Sequence, residues 1–325
     1  MVNPMRVNKG SLLDVPGLKV GHAEDNLKQT GCSVVIFENG AVCSVDVRGA
    51  APGTRETDLL NPLNLIEQVN ALVLSGGSAW GLDAASGVMK WLEENRMGFD
   101  VGVAVVPIVP AAVLFDLNVG DPAVRPDAAM GYRAAAQASQ RPFSSGNTGA
   151  GAGATIGKMA GSEKAMKGGL GTASVKGPDG LIVAAMIAVN SVGEVRDPST
   201  GKTVAGARDE NGVLLDLPAC LLQQAGADLY PGTNTTIGII CCNAALNKSQ
   251  MNKIAQMAHD GLARTLYPVH TMNDGDTLFA AATGAVRATV NIVGMLAAQA
   301  VAEAVLDGVR SAETAWGIPG YASLK

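Results

Sequence analysis

The sequence predicts an α+β fold of packed layers, built as one domain. Tight-turn signals join neighbouring apolar runs at Asn39-Gly40 and at Gly177-Pro178-Asp179-Gly180. Long helical stretches stand among them without the strand–helix–strand alternation of a doubly wound sheet. No second apolar core and no internal repeat divides the chain, so residues 1–325 read as a single domain.

Taken in order, residues 34–38 and 41–46 are apolar runs on either side of Asn39-Gly40, a pair that favours the positive φ of a hairpin turn. Residues 70–75 read as a buried strand closed by Gly76-Gly77, and helix formers run from 79 to 95. Residues 102–109 are a further apolar strand broken by Pro107, with Pro110 just beyond. Pro126 and Asp127 are start signals for a helix reaching Ser139. A glycine–alanine segment, 146–157, precedes strands at 172–176 and 181–192. Residues 196–233 are mostly polar and turn-forming, with an apolar patch at 214–222; a connection this long is functional or a linker. Residues 235–242 are strand-like, 247–266 an amphipathic helix, 277–281 a short strand and 285–311 the last helix.

Composition narrows the function. A net charge of −5 with no basic stretch argues against a nucleic-acid binder that neutralises phosphates. The 40 glycines exceed the usual ~7% without a collagen period or long polar tract, so they serve turns, close contacts or a site built from backbone amides. Three histidines offer little for a metal centre, and no metal or cofactor is expected. Five cysteines with no C-x-x-C pair fit reduced thiols in a cytoplasmic protein. Residues 1–17 lack a signal-peptide apolar core. The apolar stretch 288–309 carries Asn291, Gln299, Glu303 and Asp307, so it reads as a core helix and not a membrane span.

Several motifs nearly match and fail. Gly76-Gly77-Ser78-Ala79-Trp80 has Trp80 where a nucleophile elbow needs glycine. The segment ending Gly157-Lys158 lacks a P-loop's first glycine, Ala152 standing there, and its Ser/Thr, replaced by Met159. Asp274-Gly275-Asp276 lacks the later glycine and glutamate of a calcium loop. What remains is Asn234-Thr235-Thr236, between the long polar segment and an apolar strand. Thr235 is there as a β-former, or the chain is cut between Asn234 and Thr235. The cut would give Thr235 a hydroxyl nucleophile and its own α-amine, titrating near ~7.7–8, as base. Asp274 and Asp276 read as a solvated turn or as carboxylates holding that amine. Lys158 reads as a surface lysine or a site cation. Asn190 interrupts an apolar run, so its amide is a structural bridge or an oxyanion donor. His22, His259 and His270 are scattered and receive no chemical role.

In combination these segments resemble the DmpA/NylC family of autoprocessing N-terminal-nucleophile hydrolases. The matching stretches are Val15-Pro16-Gly17-Leu18-Lys19-Val20-Gly21-His22, Asp46-Val47-Arg48-Gly49 with Ala51-Pro52-Gly53-Thr54, and Leu74-Ser75-Gly76-Gly77-Ser78-Ala79-Trp80-Gly81-Leu82. Val106-Pro107-Ile108-Val109-Pro110-Ala111-Ala112, the 149–158 run, Asn234-Thr235-Thr236-Ile237-Gly238 and Asp274-Gly275-Asp276-Thr277 complete them. The resemblance implies a four-layer αββα sandwich, shared with ornithine acetyltransferases, self-cleaved into residues 1–234 and 235–325. It implies Thr235 as nucleophile, with Lys158 and Asn190 polarising the carbonyl or holding the oxyanion and Asp274 and Asp276 positioning the Thr235 amine. Tyr132 would bind substrate, and processed pairs would assemble as tetramers. The substrate would be a small amide or peptide; threonine within Asn-Thr-Thr leans toward the nylon-oligomer (6-aminohexanoate-oligomer) hydrolases over the L-aminopeptidase/D-amidase-esterases and β-peptidyl aminopeptidases. An acyltransferase of the ornithine type and a non-catalytic oligomeric binder are the rival functions.

Overall fold

The computed structural model describes residues 10–223 and 234–324. The N-terminal residues 1–9 and the segment 224–233, which contains Gly232-Thr233, lie outside them. The central element is strand β2, paired on one side with the antiparallel strand β1 (β1 Leu18–Asp25; β2 Thr30–Val47). Asp25 makes that turn, its Oδ1 accepting the Leu27 and Lys28 N–H groups at 3.0 Å. The hairpin therefore falls at 26–29 and not at Asn39-Gly40. Asn39-Gly40 instead sits in a bulge within β2, which faces strand β3 (Gln68–Ser75) with Ile36 opposite Ala71 and Ala41 opposite Val69. Gly40 has φ +72°, and positive φ serves a bulge as well as a turn.

The remaining main strands are β4 Ala111–Val113, β5 Gly169–Lys176, β6 Ile182–Val189, β7 Ile237–Ala244 and β8 Thr277–Val286. Their order is β5-β6-β7-β8-β2-β3-β4, with the two-residue strand Thr54–Arg55 outside β4. Pairing is antiparallel except for β7 with β8 and β3 with β4. The strand expected at 102–109 moves. Phe99–Asp100 and Val105–Val106 form a small separate hairpin, and the sheet strand begins at Ala111, past the two prolines that cannot donate to a ladder.

The helices are α1 Ala84–Glu94, α2 Ala128–Ala136, α3 Leu217–Gln223, α4 Lys248–Thr265 and α5 Val290–Ser311. Helix α1 follows a 3₁₀ segment, Ser78–Asp83. Asp127 caps α2, and Asn247 with Gln250 forms a reciprocal capping box on α4, each cap contributing about 1 kcal/mol. The last helix begins later than expected because Ala285 and Val286 finish β8.

Strand alternation sorts the apolar side chains into three cores. Val183, Ile187, Ile240 and Leu278 face α4 and α5. Met186, Ile239 and Phe279 face the other way, against Val35, Leu72 and Leu74. Val34, Ile36 and Val73 face α1 and α2. The resulting stack is helices, sheet, sheet, helices, with β2 shared between the two sheet layers. Helix α5 is long and apolar enough to cross a membrane, yet it packs on β5, β6 and α4 and is buried along most of its length. It is a core helix.

Candidate active site

The site forms where three strands of one sheet layer begin or end together. Strand β6 ends at Val189, and its antiparallel pairing with β7 brings Asn190 beside Thr235, whose N–H donates to the Asn190 carbonyl at 3.0 Å. Strand β8 runs parallel to β7, so the residues just before each start side by side. Asn234 pairs with Asp274, and Gly275 N–H donates to the Asn234 carbonyl at 3.2 Å. The Thr235 hydroxyl donates to that same carbonyl oxygen. The segment after β2 lies against this turn, Ala51 N–H donating to the Asp274 carbonyl at 2.8 Å. Only glycine fits at 49, since a Cβ there would sit 2.3 Å from the Asp274 carbonyl oxygen.

Each ambiguous polar residue is buried. Asp274 and Asp276 are 1% exposed and Lys158 is 7% exposed, which excludes a solvated turn and a surface lysine. Lys158 Nζ donates to the Asn190 carbonyl at 3.0 Å and to Asn190 Oδ1 at 2.8 Å. Asn190 Oδ1 also accepts Thr155 N–H, while its Nδ2 donates to the Phe115 carbonyl at 2.8 Å. Asn190 is thus a bridge between Lys158, Thr155 and Phe115, with one of its two amide N–H bonds engaged. Burial pulls the Lys158 ammonium down to about 7 against the opposing pull of Asp274 and Asp116. Burial, and then Asp276, push Asp274 up to about 6, against hydrogen bonds from Thr271 and the charge of Lys158.

The two carboxylates divide their work. Asp276 Oδ1 accepts the Thr236 N–H at 2.7 Å, one residue beyond the one expected, and its Oδ2 faces His270. Asp274 Oδ2 accepts the N–H and hydroxyl of Thr271, and its buried Oδ1 has no partner among the described residues. Beside Thr235 opens a cavity of about 250 Å³ walled by Ala51-Pro52-Gly53, Ser78-Ala79 and Val113-Leu114-Phe115. Just before the Ser78 wall, Gly77 N–H donates to Asp116 at 2.7 Å, and Asp116 also accepts the Thr30 hydroxyl at 2.8 Å.

Lys158, Asn190, Asn234, Thr235, Asp274 and Asp276 therefore come together. Tyr132 does not join them. It lies on α2 in the outer helix layer, its hydroxyl donating to Glu94 Oε2 of α1 at 2.6 Å and its ring 5.9 Å from Lys90 Nζ. Met130 and Ala134 take the core-facing positions of that helix. Sequence reasoning missed Phe115, Asp116 and His270. A carboxylate directly after the apolar run 111–115 was the available signal for Asp116; nothing local marked the other two.

The fold and the clustered hydroxyl, amine and carboxylates define a hydrolase of amide or peptide bonds with an N-terminal-nucleophile-type fold. The chain belongs to peptidase family S58, whose model matches residues 10–322. It is 44% identical over 340 residues to an uncharacterized aminopeptidase of Mycobacterium tuberculosis, covering 96% of each chain. It is 32% identical over 314 residues to the 6-aminohexanoate-oligomer endohydrolase of Kocuria sp. (strain KY2), covering 91% of this chain and 85% of that one. Among solved structures it is similar in fold to the L-aminopeptidase D-Ala-esterase/amidase of Ochrobactrum anthropi, with TM-score 0.72, 18% identity and 97% and 91% coverage. A Burkholderia sp. beta-aminopeptidase gives TM-score 0.69 at 20% identity, with 98% and 93% coverage. Both named activities recur among these relatives, so the lean toward nylon-oligomer hydrolases gains no preference. The peptidase family also displaces the non-catalytic binder.

Proposed function

We propose that this chain is an autoprocessing N-terminal threonine hydrolase that cleaves small amides through an acyl-enzyme on Thr235. The observation that carries it is the Thr235 hydroxyl on the Asn234 carbonyl oxygen, with Gly275 N–H on the same atom. Addition of Oγ1 to the Asn234 carbonyl carbon places the negative charge on that oxygen, where Gly275 N–H stabilises it. Breaking the C–N bond passes a proton to the Thr235 nitrogen and leaves an ester on Oγ1. Water then hydrolyses the ester, giving fragments 1–234 and 235–325. The freed amine serves as base for Thr235 in turnover, when Oγ1 attacks a substrate carbonyl presented from the cavity and water completes the cycle. Lys158, with two of its three N–H bonds held by Asn190, has one left for a developing oxyanion or for the new amine's surroundings.

The substrates that fit this reading are short linear amides: 6-aminohexanoate oligomers or small peptides. The 44% identity to an aminopeptidase favours, as a second reading, release of an N-terminal residue. The setting we propose is cytoplasmic, with processed pairs assembled as tetramers. Intact mass of purified protein tests processing; two masses matching 1–234 and 235–325 are expected, and a single full-length mass at all times overturns it. Parallel assays on amino-acid amides, β-peptides and 6-aminohexanoate oligomers separate the two substrate readings.

A further inference from the structure

We infer that His270 is a positioning residue for Thr235, acting through Asp276. The inference rests on the autoprocessing reading above. His270 touches neither Thr235 nor the cavity wall. Its backbone N–H and its Nδ1 both meet one atom, Asp276 Oδ2, at 3.1 and 2.8 Å. The other oxygen of Asp276 accepts Thr236 N–H at 2.7 Å. Asp276 is 1% exposed, so its orientation is set by these contacts and not by water.

The consequence follows from the geometry of the strand. Thr236 N–H belongs to the peptide unit that begins at Thr235, so the carboxylate that holds this N–H fixes ψ of Thr235. It thereby anchors the C-terminal side of Thr235 to the start of β7, the frame against which Oγ1 reaches the Asn234 carbonyl. Without the imidazole, Oδ2 keeps only the longer bond from the His270 backbone N–H, and Asp276 is freer to rotate about its Cβ–Cγ bond and loosen its hold on the Thr236 N–H. His270 adopts φ +57°, a left-handed conformation that a non-glycine side chain enters at a cost. That conformation brings its backbone N–H and its Nδ1 to the same oxygen. Behind it, His259 packs edge-on at 4.8 Å between ring centroids, and His259 Nε2 meets the Asp46 carbonyl at 3.1 Å. The histidine ring is therefore wedged in place from α4 and β2.

Asparagine offers a clean replacement, because its Nδ2 occupies the position of the imidazole Nδ1 and it tolerates positive φ. Processing half-life by intact mass, with melting temperature alongside, is measured for wild type, His270→Asn, His270→Gln and His270→Phe. Wild type is expected to process, His270→Asn to remain within about threefold, and His270→Phe to slow at least about tenfold. His270→Gln, whose donor lies one bond too far, is expected to be slower than His270→Asn. If His270→Phe fails to fold, the Asn and Gln variants carry the comparison. Equal rates for His270→Phe and wild type overturn the inference, as does an Asn variant no faster than Gln at matching melting temperature. A wild type that never processes overturns the underlying reading instead, which keeps the two failures apart.

Discussion

Two buried lysines, nine residues apart in sequence, sit beside two buried aspartates and do different things. Lys167 is fully buried, with Nζ on the Ala152 carbonyl at 2.5 Å and on Gln29 Oε1, and its neighbour Asp116 has a donor on each oxygen. Lys158 is held by the two oxygens of Asn190, and its neighbour Asp274 keeps one buried oxygen with no partner among the described residues. Burial lowers Lys167 to about 8 and Lys158 to about 7, so burial alone does not separate them. Completeness does. A satisfied cluster braces Gly77, next to the Ser78 wall, whereas an unsatisfied one stands next to the hydroxyl proposed to react. Leaving a buried carboxylate oxygen open costs stability, and such a cost persists at positions where chemistry uses it.

The sharpest way to break this contrast is at the reacting atom. Thr235→Ala should abolish processing and lower amidase activity by at least about 10³-fold, with melting temperature nearly unchanged, as read by intact mass and substrate release. Next, Lys158→Met should cut processing about 10²-fold by losing a donor at the reaction centre. Lys167→Met should instead leave processing within a few-fold and lower stability by about 2 kcal/mol in urea titration, because it strands two buried acceptors and Asp116. Reversed behaviour of the two lysines would erase the distinction.

A third test uses pH. Asp274 is raised from 3.8 to about 6 on folding, so between those values the folded state binds the extra proton. Stability contributed there is present at low pH and falls as pH rises from about 4 to about 6. Asp274→Asn should flatten that part of the profile and gain on the order of 1–3 kcal/mol at neutral pH, while processing slows. The smallest effect is expected at Tyr132→Phe, which removes an exposed hydrogen bond to Glu94 and should leave processing rate and kcat/KM unchanged. A clear loss there would assign Tyr132 a role that its place on α2 does not explain.

The layers were readable because they rest on period-two and 3.6-residue patterns, which local sequence encodes directly. Asp127 and Asn247 marked their helices for the same reason. Asn39-Gly40 misled because positive φ is common to a hairpin and a bulge; the choice depends on which strand lies alongside, and β3 is nearly thirty residues away. The site was legible where a residue type was odd for its surroundings, as with Asn190 in an apolar run. His270 was not legible, since its partner Asp276 becomes adjacent only after the chain turns back on itself. The family resemblance implies Tyr132 in the pocket, but α2 carries it in the outer helix layer, with its hydroxyl on Glu94.

The parallel pairing of β7 with β8 has a consequence for the protein as an object that is cut. Both strands follow Thr235, while the strands flanking them, β6 and β2, precede it. A cut before Thr235 would leave one polypeptide's strands interleaved with another's, hydrogen-bonded on both sides and joined by no covalent link. The nick would cost the folded molecule little, but refolding after denaturation would become a second-order encounter of two chains. Its midpoint would then depend on protein concentration through this pairing of two chains, a dependence that Thr235→Ala would lack. Folding before cutting would be reversible, and folding after it would depend on finding a partner.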